Sequence, residues 1–178
     1  MHGIVSLLDD NHYRQVETLW AELQAAFDLT GIYAVPFPHF SYQVAAAYDL
    51  DRLEPLLAGV ARQHPPLAVK TTGLGIFSGP KPVLYIAVVR SQALSQFHQA
   101  IWHSVSTTGS GLVEYYRPAN WVPHITLANL DLGPDRLSAA VERLSHRDFS
   151  WEMTIDNLSL LYDSGQRLDL TWRLPLGA

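Results

Sequence analysis

The sequence predicts an α+β fold of two similar lobes, each an antiparallel sheet with helices outside, around a central cleft. Three observations support it. Helix-like and strand-like segments follow one another in an order that repeats after half of the chain. Each repeat contains Pro-His, then an apolar residue and a hydroxyl residue: PHFS begins at Pro38 and PHIT at Pro123. The connections look too short and too apolar for linkers, so residues 1–178 are expected to form a single bilobal domain.

The first half begins with a short buried strand, Gly3–Asp9, and a long helix. The helix is predicted over His12–Phe27, where apolar residues recur three and four positions apart. A loop rich in Gly, Pro and aromatic residues covers Asp28–Pro38, and the strand His39–Ala46 follows it. An aspartate at or near Asp51 is expected to cap the next helix. The apolar face of that helix carries Leu53, Leu56, Leu57 and Val60.

A hairpin and a second long helix come next. Strands are predicted over Leu67–Phe77 and Val83–Arg90, with the turn SGPKP between them. The helix is predicted over Ser91–Val105 by the spacing of its apolar residues, and a second loop covers Ser106–Pro123.

The same order restarts at the second Pro-His. A strand over His124–Leu130 leads to a helix that begins near Pro134. Two strands, Phe149–Tyr162 and Arg167–Leu174, then follow, joined by the turn DSGQ. Each half therefore has a helix, an aromatic loop, a strand with a histidine, a helix and a hairpin, which indicates an internal duplication with one motif per lobe.

Composition narrows the classes of function. With 48% hydrophobic and 16% charged residues, the chain has the profile of a folded protein. The absence of cysteine excludes disulfides, thiolate nucleophiles and Cys-ligated zinc. A net charge of −5 argues against binding along DNA, and no apolar run approaches the roughly 20 residues of a membrane span. A cytoplasmic monomer is expected.

The repeated motif places similar side chains on two strands. Because side chains alternate between the faces of a strand, His39 and Ser41 share one face in the first motif. In the second motif, His124 and Thr126 share a face in the same way. The opposite faces carry the apolar residues Phe40, Tyr42, Val44, Ile125 and Leu127. Two such strands around one cleft would bring two imidazoles and two hydroxyls together.

That set of side chains suits phosphodiester chemistry. A neutral imidazole can accept a proton from attacking water while a protonated one donates to the leaving oxygen. The hydroxyls can donate to the non-bridging oxygens of the phosphate. Imidazolium and hydroxyl donors supply the positive field, so neither a metal nor a cofactor is expected. A single H-x-[ST] triplet is a weak signal, but two copies in matching contexts are far more specific.

The two motifs resemble those of the two-histidine (2H) phosphoesterase superfamily, which includes the bacterial and archaeal 2′-5′ RNA ligase/cyclic phosphodiesterases. Its signature is a pair of H-x-[ST]-x motifs with a usually apolar last position, present here as HFSY (His39–Tyr42) and HITL (His124–Leu127). The resemblance covers essentially the whole chain and implies a 2H phosphoesterase-like fold. It implies hydrolysis of 2′,3′-cyclic phosphates on RNA ends or small cyclic nucleotides. His39 and His124 would be acid and base, and Ser41 and Thr126 phosphate-binding hydroxyls.

The sequence departs from the family pattern at three positions. The first motif has Ser41 where Thr is commoner, and Tyr42 where an aliphatic residue is more frequent. Asn129 occupies a position that often holds Arg in the RNA ligase branch. Two alternatives to hydrolysis stay open: ligation of 2′-5′ RNA ends, and a nucleotide- or RNA-binding module with little catalysis.

The aromatic loops ahead of each histidine strand contain further candidates for substrate contacts. Aromatic side chains at the cleft mouth could stack on a base; the candidates are Tyr33, Phe37, Tyr115, Tyr116 and Trp121, together with Tyr42 beside the first hydroxyl. Arg117 and Lys81 are candidates for a second phosphate contact. The other six histidines have no repeated partner and are interpreted as surface or structural residues: His2, His12, His64, His98, His103 and His146.

Overall fold

The computed structural model describes residues 1–165 and 168–178. The helices are α1 (Asp10–Phe27), α2 (Leu50–Gln63), α3 (Gln92–Val105) and α4 (Pro134–Leu144). The first five strands are β1 (His2–Leu7), β2 (His39–Ala45), β3 (Ala47–Tyr48), β4 (Leu67–Phe77) and β5 (Val83–Val88). The last five are β6 (Gly109–Ser110), β7 (His124–Ala128), β8 (Glu152–Ile155), β9 (Asn157–Asp163) and β10 (Leu168–Pro175).

The long strands form two antiparallel sheets of four strands each. The first sheet has the order β10-β9-β1-β2 and the second has the order β7-β5-β4-β8. The strands that carry the two motifs, β2 and β7, are each at the edge of their own sheet and lie close to one another at the centre of the molecule. The predicted α+β fold of two antiparallel sheets with helices is therefore confirmed.

Each sheet contains strands from both halves of the sequence. The β4–β5 hairpin of the first half pairs with β7, and the β9–β10 hairpin of the second half pairs with β1. The helices cross over too, since α1 packs on β7 and α3 packs on β2. The two lobes are therefore not the two halves of the chain, although each sheet carries one motif.

Two strand predictions are corrected by the structure. The single strand predicted over Phe149–Tyr162 is two strands, because β8 pairs with β4 in the second sheet whereas β9 pairs with β1 in the first. The chain crosses between the sheets at Asp156. Strand β7 ends at Ala128 because Leu130 has a left-handed backbone with φ 58° and is exposed. The predicted start of the last strand, Arg167, lies outside the described residues.

A large apolar core fills the space between the helices and both sheets, and a second, small cluster contains Val5, Leu7 and Leu161. The N-cap of α2 is Asp49, whose side chain accepts a hydrogen bond from the backbone N–H of Arg52. Leu53 and Leu57 on this helix are fully buried, whereas Leu56, which the spacing also assigned to the buried face, is 40% exposed. In residues 1–165 and 168–178, no helix combines the length and apolarity that crossing a membrane requires.

Candidate active site

The first motif contains a β-bulge. In the β1–β2 pair, Ser41 lies opposite Val5 and Gln43 lies opposite Ile4, so Tyr42 has no partner residue. A bulge inserts one extra residue into a strand and changes which face the following side chains point to. The fourth residue of the HFSY motif is thus the bulged one.

The second motif contains the same irregularity at the same position. In the β5–β7 pair, Thr126 lies opposite Tyr85 and Ala128 lies opposite Leu84, so Leu127 is the extra residue. Leu127 is 1% exposed and packs in the core. The last motif position is therefore apolar for a structural reason, because strand alternation turns its side chain into the core, opposite His124 and Thr126.

The structure corrects two predictions in the first motif. Val44 was assigned to the face opposite His39 and Ser41, but after the bulge it lines the same cavity as both. Tyr42 is fully buried on the other side of the strand, and its hydroxyl is hydrogen-bonded to the hydroxyl of Ser6 at 2.9 Å. Tyr42 is therefore a core residue rather than a substrate contact.

The two imidazoles are held by equivalent hydrogen bonds. His39 Nδ1 lies 2.5 Å from the carbonyl oxygen of Phe37, and His124 Nδ1 lies 2.7 Å from that of Val122. A carbonyl only accepts, so Nδ1 carries the proton in each neutral ring. Each Nε2 then has a free lone pair, which is the state that a general base needs.

Burial shifts both imidazoles toward the neutral form. Burial lowers the pKa of His39 to about 4, against the opposing effect of the Phe37 carbonyl, and a charge on His124 lowers it further. Burial also lowers the pKa of His124, again partly offset by the carbonyl of Val122. The mutual effect of His39 and His124 means that the two rings are within electrostatic reach of one another. Both are neutral in the free protein near pH 7.

A cavity of about 200 Å³ lies between the two motif strands. Its polar lining residues are His2, His39, Ser41, Tyr116, Thr126 and Asn129. Its aliphatic lining residues include Val5, Val35, Val44, Leu161 and Leu168. Residues from both sheets therefore line the same cavity, with two motif hydroxyls and one motif imidazole, that of His39, among them.

His124 is not among the residues that line this cavity, and its ring lies beside two aromatic rings. Its ring centroid lies 4.8 Å from that of Phe77, with the planes nearly perpendicular, and 5.3 Å from that of Tyr85. Neither aromatic residue had been identified from the sequence. Both lie on strands of the hairpin that pairs with β7, so only strand pairing brings them to the motif.

Tyr116 is the one aromatic loop candidate that the structure brings into the site. It lines the cavity, and its hydroxyl is hydrogen-bonded to the side chain of Ser41. Burial raises the pKa of the phenol above its usual value, so the hydroxyl keeps its proton. Tyr116 can therefore donate to an anionic ligand alongside Ser41 and Thr126.

Other loop candidates lie away from the cavity. Tyr115 is 81% exposed, and Trp121 is 1% exposed beneath the first motif. Arg117 forms an ion pair with Glu114, with Nε 2.6 Å from Oε2, and its guanidinium lies over the ring of Trp102. Tyr115 is turned outward, Arg117 is paired with Glu114, and Trp121 is packed inside. None of these three residues is therefore placed to contact a phosphate at the histidines.

The remaining three candidates also have other surroundings. Tyr33 packs edge-on against Trp20, and Phe37 joins a small apolar cluster with Leu7 while its carbonyl holds His39. Lys81 is exposed in the turn between β4 and β5.

Asn129 lines the cavity two residues from the end of the second motif. Its Oδ1 is buried and has no hydrogen-bond partner among the described residues. A buried amide oxygen without a partner is costly, so Asn129 Oδ1 is an unsatisfied acceptor at the wall of the cavity. The sequence marked this position only as a departure from the family pattern.

Two indole N–H groups hold the motif strands in place. Trp121 Nε1 donates to the backbone carbonyl of Ser41 at 2.8 Å, and Trp20 Nε1 donates to that of Thr126 at 3.0 Å. Trp20 lies on α1, which connects β1 and β2 of the first sheet, and its indole bonds to β7 of the second sheet. Trp121 precedes β7 of the second sheet, and its indole bonds to β2 of the first sheet. These carbonyls lie on edge strands, so their partners are side chains rather than another strand.

Replacing either tryptophan with phenylalanine should destabilise the protein. Trp121→Phe and Trp20→Phe keep a ring in place but leave the carbonyl of Ser41 or Thr126 without its donor. We expect each to lower the free energy of unfolding by about 1–3 kcal/mol, the cost of an unsatisfied buried polar group, as measured by urea denaturation. An unchanged midpoint for both variants would show that water replaces the indole and that the bonds do not hold the strands.

Among residues 1–165 and 168–178, no group of three or more His, Cys, Asp or Glu side chains is arranged to hold a metal ion.

The comparison with protein families decides the class of the protein. The model of the 2′-5′ RNA ligase superfamily matches residues 8–167, which include both motifs and most of the chain. The chain belongs to the 2′-5′ RNA ligase superfamily. The resemblance to 2H phosphoesterases that the two motifs predicted is confirmed, and the protein is an enzyme of the 2H phosphoesterase type.

Curated relatives within this superfamily are similar over about three quarters of their length. A protein of Bacillus licheniformis, provisionally named a phosphoesterase, is 27% identical over 133 residues, covering 73% of this chain and 74% of the relative. A protein of Geobacillus kaustophilus with the same provisional name is 26% identical over 133 residues, covering 73% of this chain and 72% of that protein.

Solved structures of the superfamily share the fold of this chain. The protein TT0787 of Thermus thermophilus has a TM-score of 0.67 at 15% identity, with 99% of this chain and 98% of that chain covered. E. coli LigT, solved with 3′-AMP, has a TM-score of 0.60 at 15% identity, with the same coverage. Both comparisons agree with the arrangement of two sheets around a central cleft.

Proposed function

We propose that this 2H phosphoesterase is a metal-independent phosphodiesterase that hydrolyses 2′,3′-cyclic phosphates on RNA ends or small cyclic nucleotides. The observation that supports the proposal most is the pairing of the two motifs. His39 and His124 lie on facing edge strands, each with Nδ1 bound to a carbonyl and Nε2 free. Ser41 and Thr126, one from each sheet, line one cavity. This is the set that in-line attack on a phosphodiester requires.

The reaction needs the two imidazoles in opposite protonation states. The neutral imidazole accepts a proton as the water oxygen forms a bond to phosphorus. The protonated imidazole donates its proton as the bond between phosphorus and one ribose oxygen breaks, which leaves a phosphomonoester and a free hydroxyl. Ser41, Thr126 and Tyr116 donate hydrogen bonds to the non-bridging oxygens, where negative charge increases in the transition state. The reaction leaves the two histidines with exchanged protonation states.

The general acid must gain its proton on substrate binding, because both histidines are neutral in the free protein near pH 7. An anionic phosphate beside a histidine favours the imidazolium form and raises its pKa. Substrate binding is therefore coupled to uptake of one proton. The structures of E. coli LigT with 3′-AMP and with ATP support a nucleotide as the ligand of this site.

The pH dependence of the rate should show this coupling. Because the pKa values of His39 and His124 are lowered, both apparent pKa values of the histidine pair lie below 6.5 in the free enzyme. We expect kcat/KM on a 2′,3′-cyclic nucleotide to be bell-shaped with its maximum below pH 6.5, and to fall as pH rises because the acid loses its proton. The maximum of kcat should lie at higher pH, because bound phosphate raises the pKa of the acid.

Initial rates measured from about pH 4 to pH 9 would test this prediction. A kcat/KM profile that is flat over this range would contradict a paired acid and base. A maximum above pH 7 would contradict the neutral state of the free histidines.

One substrate panel tests the function itself. It comprises 2′,3′-cyclic nucleotides, RNA with a cyclic end, ADP-ribose 1″,2″-cyclic phosphate and 2′-5′-linked oligonucleotides, each assayed with and without EDTA. Hydrolysis of a 2′,3′-cyclic phosphate that EDTA leaves unchanged is the expected result. Joining of 2′-5′ ends instead would assign ligation, tight binding without turnover would assign a binding module, and loss of activity with EDTA that a divalent ion restores would assign metal catalysis.

A further inference from the structure

His98 is a buried histidine that the proposed reaction does not use. It lies on α3, is 1% exposed, and its Nε2 lies 2.8 Å from the backbone carbonyl oxygen of Tyr42. A carbonyl only accepts, so Nε2 carries the proton and donates. Burial lowers the pKa of His98 to about 4, against the opposing effect of the carbonyls of Tyr42 and Tyr116. The ring is therefore neutral near pH 7 and serves as a hydrogen-bond donor rather than as a carrier of protons.

The carbonyl of Tyr42 has a particular need for such a donor. As the bulged residue of the first motif, Tyr42 has no partner residue in β1, and it is fully buried. A bulge interrupts the ladder of the strands, and a buried carbonyl without a donor costs free energy. The preceding carbonyl, that of Ser41, accepts from Trp121 Nε1 at 2.8 Å. Two buried side chains thus hold two consecutive peptide groups at the bulge.

The rings of these two side chains also pack on one another. The ring centroids of His98 and Trp121 lie 4.0 Å apart with their planes 28° apart, and the ring of Tyr42 lies 5.7 Å from that of Trp121. An apolar side chain could fill the place of His98 without burying ring nitrogens, which costs free energy unless they are hydrogen-bonded. The bond to the carbonyl of Tyr42 is therefore what a histidine contributes at this position.

We propose that His98 is a positioning residue of the active site, which holds the carbonyl of Tyr42 and thereby fixes the bulge that directs the hydroxyl of Ser41 to the phosphate. This inference rests on the proposed function, since that function assigns Ser41 to the phosphate. Without its donor, the peptide group after Tyr42 is free to rotate toward another partner, and Ser41 is the next residue along the strand. A displacement of about 1 Å in a positioned group can cost about 10²-fold in rate. His98 acts through Ser41 and does not itself contact the substrate.

Three variants separate the donor of His98 from its ring. His98→Phe keeps a ring against Trp121 and removes the donor. His98→Gln removes the ring and places an amide N–H where Nε2 lies. His98→Asn carries the same amide one methylene closer to the backbone, which is too short to reach Tyr42. On a 2′,3′-cyclic nucleotide, His98→Phe and His98→Asn should lower kcat by roughly 10- to 100-fold with a smaller change in KM, whereas His98→Gln should retain most of the wild-type kcat.

A double variant tests whether His98 acts through Ser41. Once Ser41→Ala has removed the hydroxyl, adding His98→Phe should lower kcat little further, because no hydroxyl is left to position. Ile101→Ala is the control for stability, because Ile101 is fully buried on the same helix and its loss leaves a cavity. This variant should unfold at lower urea concentration and keep its kcat. His98→Leu provides a smaller side chain without a donor if His98→Phe folds poorly.

Four outcomes would overturn the positioning role. They are wild-type kcat in the variants without a donor, a kcat of His98→Gln as low as that of His98→Phe, a full further loss in the Ser41→Ala background, and a loss of kcat in Ile101→Ala as large as that in His98→Phe. Nitrogen-15 NMR of the histidine rings adds a test that needs no substrate. His98 should be the neutral tautomer with its proton on Nε2, and a proton on Nδ1 would overturn the proposal as well.

Failure of the proposed function gives a different pattern. A wild type that turns over another phosphodiester but no cyclic phosphate would refute the proposed hydrolysis alone, and the rates of the same variants on that substrate would decide the role of His98. A wild type that hydrolyses a cyclic phosphate as fast as His98→Phe does would refute the positioning role alone.

Discussion

Replacing His39 or His124 with alanine should lower kcat on a 2′,3′-cyclic phosphate by about 10²- to 10⁴-fold, the contribution of a positioned general acid or base. Each imidazole is bound through Nδ1 to a carbonyl two residues earlier, so its Nε2 is the only ring nitrogen available to a substrate. Without one ring, either the water loses its base or the leaving oxygen loses its proton donor. Steady-state kinetics of both variants at the pH of maximal wild-type activity measure the loss.

A double variant and a control variant test whether the loss of kcat comes from the chemistry of the two histidines. Because the two histidines act in one step, the kcat of the double variant should be only slightly lower than that of the less active single variant. His103→Ala removes an exposed imidazole from α3 and should leave kcat unchanged. Thermal unfolding should show intact folding, because among the described residues the side chains of His39 and His124 are hydrogen-bonded to nearby carbonyls alone. A single variant that stays within tenfold of wild-type kcat would exclude that histidine from the chemistry.

Removing a motif hydroxyl should have the next largest effect. Ser41→Ala and Thr126→Val should each lower kcat by about 10²- to 10³-fold, the usual loss for one hydrogen-bond donor to a transition-state oxygen. KM should change less, because these bonds strengthen as charge increases on the phosphate. The Thr126 variant keeps the shape of the side chain, and the carbonyl bond from Trp20 is unaffected because it involves the backbone.

Conservative changes at the same positions provide the control for the hydroxyls. Ser41→Thr and Thr126→Ser keep a donor and should retain most of the activity. Tyr116→Phe removes the phenol that is hydrogen-bonded to Ser41 and should cause a smaller loss, since Ser41 itself still reaches the ligand. Equal activity of Thr126→Val and Thr126→Ser would show that the hydroxyl does not contact the phosphate.

The local sequence predicted most of the helices and strands well. Helix α1 has a regular apolar pattern, and strand β4 is followed by turn residues. The limits of both elements therefore follow from a few neighbouring positions. The single strand predicted over Phe149–Tyr162 failed because its two parts pair with different sheets. Both parts have strand-like composition, and only the pairing partners show that the chain crosses over between them.

The residues of the site also fall into those that the local sequence predicted and those that only the tertiary structure reveals. The repeated Pro-His motif identified two imidazoles and two hydroxyls, since repetition in matching contexts needs no knowledge of contacts. The aromatic residues were harder to predict, because Tyr116 and Trp121 lie in one loop yet the first lines the cavity and the second is buried. Phe77 and Tyr85 lie on a hairpin far from both motifs in sequence, and strand pairing brings them to His124.

The sequence by itself determined the α+β class, the two motifs and the family to which they point, because periodicity and repetition are properties of neighbouring residues. The tertiary structure decided which strands share a sheet, that bulges lie at Tyr42 and Leu127, and which aromatic rings reach the cleft. It also decided the protonation states, because the lowered pKa values of His39 and His124 come from burial. Burial and strand pairing depend on residues distant in the chain, which a local pattern does not contain.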